Sequence, residues 1–258
     1  MKIIKNSPVY NRKGQRIMSI TQQEASYIDH AKIDERFFIV ENDFLVVKSK
    51  FFRQEHLVKN WTFCIHGNQV HFKRKTELNY KKVLLILESP HHNEFDYDDD
   101  FKALRPLEGI FELFKSTFGK LMTQITFDET TAYEVTLYNP VPFQSSLHYL
   151  FRRNIKEKTK LDFWLYGWFD LKYHKELENF LGYRKFDYYI NASTRTYKTL
   201  ISRKLSKVIP IEYQVYHPNS SFWKRKDVKF GIKKIVHLDN SHELFNSDEN
   251  TNVNNPIF

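Results

Sequence analysis

The stretch VLLILESP, residues 83–90, decides the fold class. It begins with five consecutive apolar residues, which is typical of a strand buried on both faces of a parallel sheet. The apolar run ends at Glu88 and Ser89, and Pro90 cannot continue a central strand. A carboxylate directly after a buried strand is desolvated unless it has a partner or a chemical role. The sequence therefore predicts an α/β protein with polar chemistry at the end of this strand.

Three further segments read as strands, and helical patterns separate them. The strand-like segments are YEVTLYNPVPF (residues 133–143), FDYYINAS (186–193) and IEYQVYHPNSS (211–221). Helical patterns cover residues 106–119, 173–180 and 194–207, and DFWLYGWF (162–169) is predicted as a strand or a buried segment. Alternating strands and helices indicate βαβ units. The sequence therefore predicts a mainly parallel, four-stranded sheet.

The chain divides into three parts by composition. Residues 1–80 form a β-rich N-terminal extension. In it, FFIVENDFLVV (37–47) predicts two short strands, and WTFCIHGNQVHFKRK (61–75) predicts a hairpin that turns at Gly67 and Asn68. Residues 81–237 hold the α/β domain. Residues 238–258 contain acidic residues and no Lys or Arg, which is typical of a flexible tail.

The composition excludes several kinds of site. The chain has 7 glycines and no Gly-rich phosphate loop. Its one cysteine, Cys64, excludes a disulfide framework and a thiolate-held zinc or iron–sulfur site, and it fits a reducing cytoplasm. No apolar run approaches the roughly 20 residues that a membrane helix needs. We therefore expect a cytoplasmic monomer that needs no metal and no cofactor.

Positive charge is concentrated in one part of the chain. The net charge is +9, from 40 Lys and Arg against 31 Asp and Glu. Between residues 193 and 234 the only acidic residues are Glu212 and Asp227. The basic residues of this stretch are Arg195, Lys198, Arg203, Lys204, Lys207, Lys224, Arg225, Lys226, Lys229, Lys233 and Lys234. This density of positive charge favours a polyanionic partner such as DNA.

Polar residues stand at the ends of three predicted strands. They are Glu88, Asn139 and His217. In parallel sheets the chemistry gathers at the carboxyl ends of the strands, so these side chains are expected to lie together. Each also has a structural interpretation. Glu88 suits a helix cap or an ion pair, and the other two, each followed by a proline, suit turns.

Motifs within residues 82–226 resemble those of the uracil-DNA glycosylase superfamily, in the family's order. LESP (87–90) is similar to the GEAPG motif of one class and the GQDPYH motif of another, and LRPLEG (104–109) is similar to the GRPFVG segment after GEAPG. LYNPVPF (137–143) resembles the strand that carries the base-reading Asn. NASTRTYKTLISRKL (191–205) resembles the turn and helix before the last motif, and HPNSS (217–221) resembles HPSP or HPAA. The GEAPG class is the most similar, although its cluster cysteines are absent here.

The resemblance implies a three-layer α/β/α sandwich that removes a base from DNA. Glu88 matches the acidic residue of GEAPG, and would hold the attacking water or stabilise the sugar cation. His217 matches the His of the last motif, and would stabilise the departing base by a hydrogen bond to its carbonyl. Asn139 would read the base edge, because its amide offers both a donor and an acceptor.

Three further base-binding positions depart from the family pattern. Ser89 replaces the catalytic Asp of GQDPYH, which leaves the chemistry to Glu88. His91 stands where GQDPYH has the Tyr that excludes 5-substituted pyrimidines. Leu107 falls where the family places a stacking Phe. The identity of the base therefore stays open between uracil and a modified pyrimidine.

The segment after His217 combines features of proteins that unstack DNA. HPNSSFWKRK supplies hydroxyl groups for phosphates, an apolar wedge and a basic run. The predicted DNA-binding residues, including two from the preceding helix, are Ser220, Ser221, Phe222, Trp223, Lys224, Arg225, Lys226, Arg195 and Lys198. A structural interpretation instead places the two aromatic residues in the core.

Other functions remain open at this point. One is a glycosylase for hypermodified phage bases, acting in antiviral defence rather than in DNA repair, which the extra N-terminal region, His91 and Leu107 fit. Another is a non-catalytic DNA-binding relative, which Ser89 fits. A metal site at His91, His92 and the acidic run 94–100 is a weaker alternative, because adjacent histidines point in different directions.

Overall fold

The computed structural model describes residues 9–10, 16–19, 38–41, 44–47, 49–67, 69–91, 94–96, 102–104, 118–126, 130–145, 157–218 and 231–237. The strands of this part are β1 Val9–Tyr10, β2 Arg16–Ser19, β3 Phe38–Glu41, β4 Phe44–Val47, β5 Asn60–His66, β6 Gln69–His71, β7 Tyr80–Ile86, β8 Phe95–Asp96, β9 Lys102–Ala103, β10 Ala132–Tyr138, β11 Tyr188–Asn191, β12 Ile211–Gln214 and β13 Lys233–Val236. The helices are α1 Gly119–Thr126, α2 Glu157–Leu165, α3 Tyr173–Tyr183 and α4 Arg195–Leu205. Short 3-10 turns cover Ser49–Phe52 and Gln54–His56, and a π-helical turn covers Tyr166–Asp170.

The main sheet has the order β13-β12-β11-β7-β10-β5-β6 within the described residues. Strands β10, β7, β11 and β12 are mutually parallel. Strand β5 pairs antiparallel with β10, β6 pairs antiparallel with β5, and β13 pairs antiparallel with β12. The predicted four-stranded sheet is therefore wrong in its size: the sheet is mixed and has seven strands. Strands β5 and β6 form a local hairpin, but β5 joins the sheet by pairing with β10, about 70 residues away in the chain, so the local pattern does not show that the hairpin belongs to this sheet.

Both faces of the sheet are covered, because alternate residues of a strand point to opposite sides. Val83 and Leu85 of β7 pack in one apolar cluster with α1. Leu84 and Ile86 pack in another with side chains of α2, α3 and α4. The continuous apolar run of β7 is thus buried on both sides, and the described elements form helix, sheet and helix layers.

The chain order places a switch point at the middle of the sheet. After β7 the chain passes α1 and pairs β10 on one side, and it later returns to pair β11 on the other side of β7. The helix after β11 is α4, which covers the opposite face from α1. Ligand sites of open α/β sheets lie at such a point, beyond the carboxyl ends of the strands.

The segment DFWLYGWF (162–169) is helical rather than a strand. It forms the end of α2 and most of the π-helical turn. Phe163, Trp164 and Trp168 are almost completely buried, and the two Trp rings stack with centroids 5.1 Å apart. Burial of this segment was expected. The predicted alternative, a strand, is wrong: the segment packs on one face of the sheet as a helix.

Residues of the predicted N-terminal extension contribute to the main core. The two predicted short strands are β3 and β4, which pair antiparallel in a separate sheet of order β1-β2-β4-β3. The predicted hairpin is β5 and β6, and Gly67 in its turn has a φ of 56°, which glycine adopts without strain. Strand β5 pairs β10, and Phe51 packs on Phe143. The sheet and core therefore continue across the predicted boundary at residue 80.

No helix in the described part of the chain is long and apolar enough to cross a membrane. Most of the helix predicted at 106–119, and the whole acidic tail 238–258, lie outside the described residues.

Candidate active site

The sheet brings the three predicted strand-end residues to one edge. Glu88 follows β7 by two residues, Asn139 follows β10 directly, and His217 lies three residues beyond β12. These strands run parallel in one sheet, so their carboxyl ends share an edge. Direct bonds tie the ends together: the Leu87 amide donates to the Tyr138 carbonyl over 2.9 Å.

Glu88 is held on both its main chain and its side chain. Its Oε2 accepts a hydrogen bond of 3.0 Å from the backbone amide of Thr194, the residue before helix α4. Its backbone carbonyl accepts from Trp164 Nε1 at 2.9 Å and from the Val141 amide at 3.3 Å. The amino end of a helix favours a negative charge. The hydrogen bond from Thr194 orients the carboxylate through Oε2.

Ser89 is anchored to the segment after β10. Its Oγ lies 2.7 Å from the Oγ of Ser145, which donates to it and is itself buried. Ser89 thus joins Glu88 and the Asn139 segment in one cluster. His91 is partly buried, and its carbonyl accepts a 2.9 Å bond from the Glu94 amide.

Glu94 is a buried carboxyl group that sequence reasoning treated only as part of an acidic loop. Its residue is 4% exposed, and burial raises its pKa to about 7, while a hydrogen bond with the His91 backbone opposes this rise. A protonated carboxyl is therefore present six residues after Glu88 at slightly acidic pH. The signal in the sequence is weak, because the neighbouring acidic residues mask it.

Asn139 is buried, and its side-chain oxygen Oδ1 has no hydrogen-bond partner among the described residues. Its backbone amide donates to the Lys59 carbonyl at 2.8 Å, and its Nδ2 donates to the Val58 carbonyl at 3.0 Å. Because the Val58 partner is a carbonyl, it fixes which end of the side-chain amide carries the nitrogen. No described residue donates to Oδ1. Asn139 therefore presents a lone acceptor, whereas the sequence suggested a donor and an acceptor together.

His217 lies among charged groups at the same edge. Burial lowers the pKa of His217 below its usual 6.5, the Glu88 carboxylate opposes this by raising it, and the Lys198 ammonium lowers it further. The neutral imidazole is thus favoured at neutral pH. A neutral imidazole donates a hydrogen bond from one nitrogen and accepts at the other.

Lys198 lies on α4 and turns into the protein. Its Nζ donates a hydrogen bond to the Val215 carbonyl. Burial lowers the pKa of Lys198, and the Glu212 and Glu88 carboxylates oppose this by raising it. The sequence assigned Lys198 to DNA phosphates; its contacts here are with the loop that leads to His217.

A buried polar network lies behind these residues, between α4 and the sheet. Glu212 is fully buried and accepts from Asn191 Nδ2 at 2.9 Å and from Ser202 Oγ at 2.7 Å. Ser193 donates a hydrogen bond to Asn191 Oδ1, and Gln214 donates to Ser202 and to Glu212. His237 also contacts Glu212. The sequence reading missed this network. Its one visible signal is Glu212 inside the strand IEYQ.

The basic residues of helix α4 and the turn after it, which the structure describes, do not share one surface. Arg195 is exposed at the amino end of α4, near Thr194 and the site edge. Lys204 is at the other end of α4 and forms an ion pair of 2.8 Å with Glu178. The exposed Lys207 lies beyond that same end. The helix therefore divides a cluster that looks continuous in the sequence.

Several predicted site residues lie outside the described residues. They are Leu107, His92, Ser220, Ser221, Phe222, Trp223, Lys224, Arg225 and Lys226. Within the residues that the structure does describe, no group of three His, Cys, Asp or Glu side chains is placed to hold a metal ion.

No family model matches the sequence, and neither the curated proteins nor the solved structures gave a match. The motifs and the geometry of the site are therefore what support a function.

Proposed function

We propose that the chain is a monofunctional DNA glycosylase that hydrolyses the N-glycosidic bond of a flipped-out uracil or modified pyrimidine. The observation that carries the proposal is the convergence of Glu88, Asn139 and His217 at one sheet edge, beside the amino end of α4. A carboxylate, a buried acceptor and a neutral imidazole suit the three demands of this reaction. The partner is DNA, and the chain acts as a monomer without metal or cofactor.

The first demand is to stabilise the sugar. When the bond between C1′ and the ring nitrogen breaks, the electron pair leaves with the base and C1′ becomes cationic. The Glu88 carboxylate provides the opposite charge, and its hydrogen bond from Thr194 fixes its orientation. Its second oxygen, Oε1, accepts a hydrogen bond from the attacking water and takes that proton. The base anion then takes up a proton from solvent and Glu88 releases its proton, so that the products are the free base and an abasic site.

The second demand is to stabilise the departing base. Its negative charge spreads to the carbonyl oxygens, and a hydrogen bond from His217 stabilises it there. A neutral imidazole can donate this hydrogen bond from its one N–H group. It carries no positive charge, so it does not pair with the Glu88 carboxylate. The lowered pKa of His217 keeps it in that form at neutral pH.

The third demand is to recognise the base. Asn139 Oδ1 is buried and accepts a hydrogen bond from an N–H group on the base edge. A buried acceptor without its donor is costly, so a base lacking that N–H is rejected. Base flipping supplies access, because the target atom cannot be reached inside the stack.

The test uses single-stranded oligonucleotides that carry uracil, thymine or hypermodified pyrimidines, followed by alkali to cut abasic sites. We expect strand breaks with at least one modified base, and loss of those breaks in Glu88→Gln. Glu77→Gln is the matched control, because Glu77 is exposed and precedes β7, whereas Glu88 follows the other end of that strand. Binding without breaks on every substrate would overturn the proposal and support a non-catalytic DNA-binding protein.

A further inference from the structure

Lys198 lies on α4 close to two residues of the site, Glu88 and His217. Its Nζ donates to the carbonyl of Val215, two residues before His217 in the chain. Its charge acts on His217, and the Glu88 charge acts on Lys198 and on His217. Helix α4, the end of β7 and the end of β12 therefore bring one cation and one carboxylate close enough to act electrostatically on the His217 imidazole.

A buried hydrogen-bond network around Glu212 also holds helix α4, which carries Lys198, against the sheet. Glu212 of β12 acts on Lys198 electrostatically, and it is fully buried. Ser202 of α4 and Asn191 of β11 donate hydrogen bonds to Glu212, and His237 beyond β13 lies 3.2 Å from it. Truncating one partner of such a network leaves a buried charge unsatisfied. The network therefore holds α4, and Lys198 with it, in one place against the sheet.

We propose that Lys198 is a positioning residue of this site, a partly buried ammonium group that ties the His217 segment to helix α4 and places a positive charge beside both Glu88 and His217. The hydrogen bond to Val215 fixes the loop that carries His217. Burial is the main cause that lowers the pKa of His217, the Glu88 carboxylate opposes it, and the positive charge of Lys198 adds to the effect of burial. Lys198 touches neither base nor sugar and acts through these two residues.

The effect of Lys198 on catalysis rests on the proposed function, but its effect on His217 does not. The titration of His217 is measured by NMR on the full-length chain with carbon-13-labelled histidine and no DNA. His217→Gln assigns the resonance. Lys198→Met removes the charge and keeps the length of the side chain. We expect the His217 midpoint to move to higher pH in Lys198→Met, and Lys198→Arg, which keeps the charge, to retain the parent midpoint.

The control is Lys207→Met, which removes one positive charge beyond the far end of α4. We expect no change in the His217 midpoint there. An unchanged midpoint in folded Lys198→Met would overturn the inference. An equal shift in Lys207→Met would also overturn it, because net charge alone would then explain the effect.

A second measurement covers the case in which Lys198→Met does not fold. In the parent chain the Lys198 Cε resonance, assigned through the backbone, should titrate below the exposed lysines. It should move further down in Glu88→Gln, because Glu88 raises the pKa of Lys198. A Lys198 midpoint shared with the exposed lysines, or one that ignores Glu88→Gln, would contradict the proposal.

If the oligonucleotides show base release, the acid limb of its pH profile should move to higher pH in Lys198→Met. Release with an unmoved acid limb would refute the positioning role while leaving the glycosylase standing. Absence of release on every substrate would refute the glycosylase, and the NMR titration would still decide the role of Lys198.

Discussion

At the scale of single residues, Asn139 shows how burial decides what a side chain can do. One end of its amide is used by the Val58 carbonyl, and the other end is left without a donor among the described residues. A buried unsatisfied acceptor costs about 1–3 kcal/mol, which a bound ligand with an N–H group would recover. Asn139 therefore contributes to stability through Nδ2, while the proposed recognition of a base would use Oδ1.

His217→Ala tests the catalytic role proposed for His217. We expect base release to fall by about 10²–10³, the usual loss when one preorganised donor is removed. His66→Ala is the control, because His66 is exposed and ends β5, which runs antiparallel to β10 and so finishes at the opposite edge of the sheet. Single-turnover rates on the best oligonucleotide measure both. Equal rates in His217→Ala and the parent would remove His217 from the mechanism.

Glu94→Gln tests the buried carboxyl through stability. Because the pKa of Glu94 rises from 4.5 to about 7 on folding, the folded chain holds a proton that the unfolded chain releases between these values. This contribution is fully present below pH 4.5 and is lost as the pH rises through 7. Parent stability should therefore fall by on the order of 3 kcal/mol between pH 4.5 and 8 from this group.

The Glu94→Gln protein should lose less stability over that range, since its amide does not titrate. Urea unfolding at pH 5 and pH 8 measures the difference, and Glu77→Gln provides an exposed control. A parent and a Glu94→Gln chain with the same pH dependence would show that Glu94 keeps an ordinary pKa.

At the scale of elements, the π-helical turn Tyr166–Asp170 supports the segment that carries Asn139. Gly167 in this turn packs directly on that segment. A Cβ on Gly167 would meet Phe143 Cε1 at 2.7 Å and Val141 Cγ1 at 2.9 Å. Val141 also donates its amide to the Glu88 carbonyl, so the close approach of this turn helps to fix both site residues.

Gly167→Ala should destabilise the chain by about 1–3 kcal/mol, the usual cost of overpacking a buried contact. Gly182→Ala is the matched change, because Gly182 lies in α3 and its added methyl group meets nothing within 4 Å. That substitution should stabilise by up to about 1 kcal/mol, since alanine favours the helix. Thermal unfolding of the two variants should move in opposite directions, and movement in the same direction would contradict this packing.

At the scale of the whole molecule, the proposed DNA surface is the sheet edge that carries Glu88 and His217. Helix α4 contributes its amino end to this edge and points its carboxyl end away. The basic residues of α4 thus belong to different surfaces, and one of them, Lys204, is neutralised by Glu178. The net charge of +9 favours DNA in general, while the placement of individual charges decides the orientation.

Arg195→Ala should reduce the salt dependence of DNA binding. Each phosphate contact contributes roughly 0.9 to the slope of log affinity against log salt on duplex DNA, and Arg195 lies exposed at the site edge. Lys207→Ala removes the same charge beyond the other end of α4 and should leave the slope unchanged. Binding measured from 50 to 200 mM salt compares them. Equal slopes in the parent and both variants would exclude the amino end of α4 from the DNA surface.

The sequence by itself determined the parallel centre of the sheet and the residues at its edge. The apolar run of β7 is long enough to demand burial on both faces, and the polar residues that follow the strands had to meet once those strands were parallel. Glu88, Asn139 and His217 were therefore identifiable from their neighbours in the chain. The sequence did not reveal that Glu94 and Glu212 are buried carboxyl groups, or that Lys198 bonds to the Val215 carbonyl.

Only the tertiary structure decided how these residues are used, because their partners are distant in sequence. Asn139 donates to Val58, and Glu88 accepts from Thr194, over separations of 81 and 106 residues. The hairpin of β5 and β6 likewise joins the main sheet only through the pairing of β5 with the remote strand β10. A local pattern reports burial and strand direction. Hydrogen bonds and charges between remote segments form only once the sheet has assembled, and they set which atoms of the site remain free for a ligand.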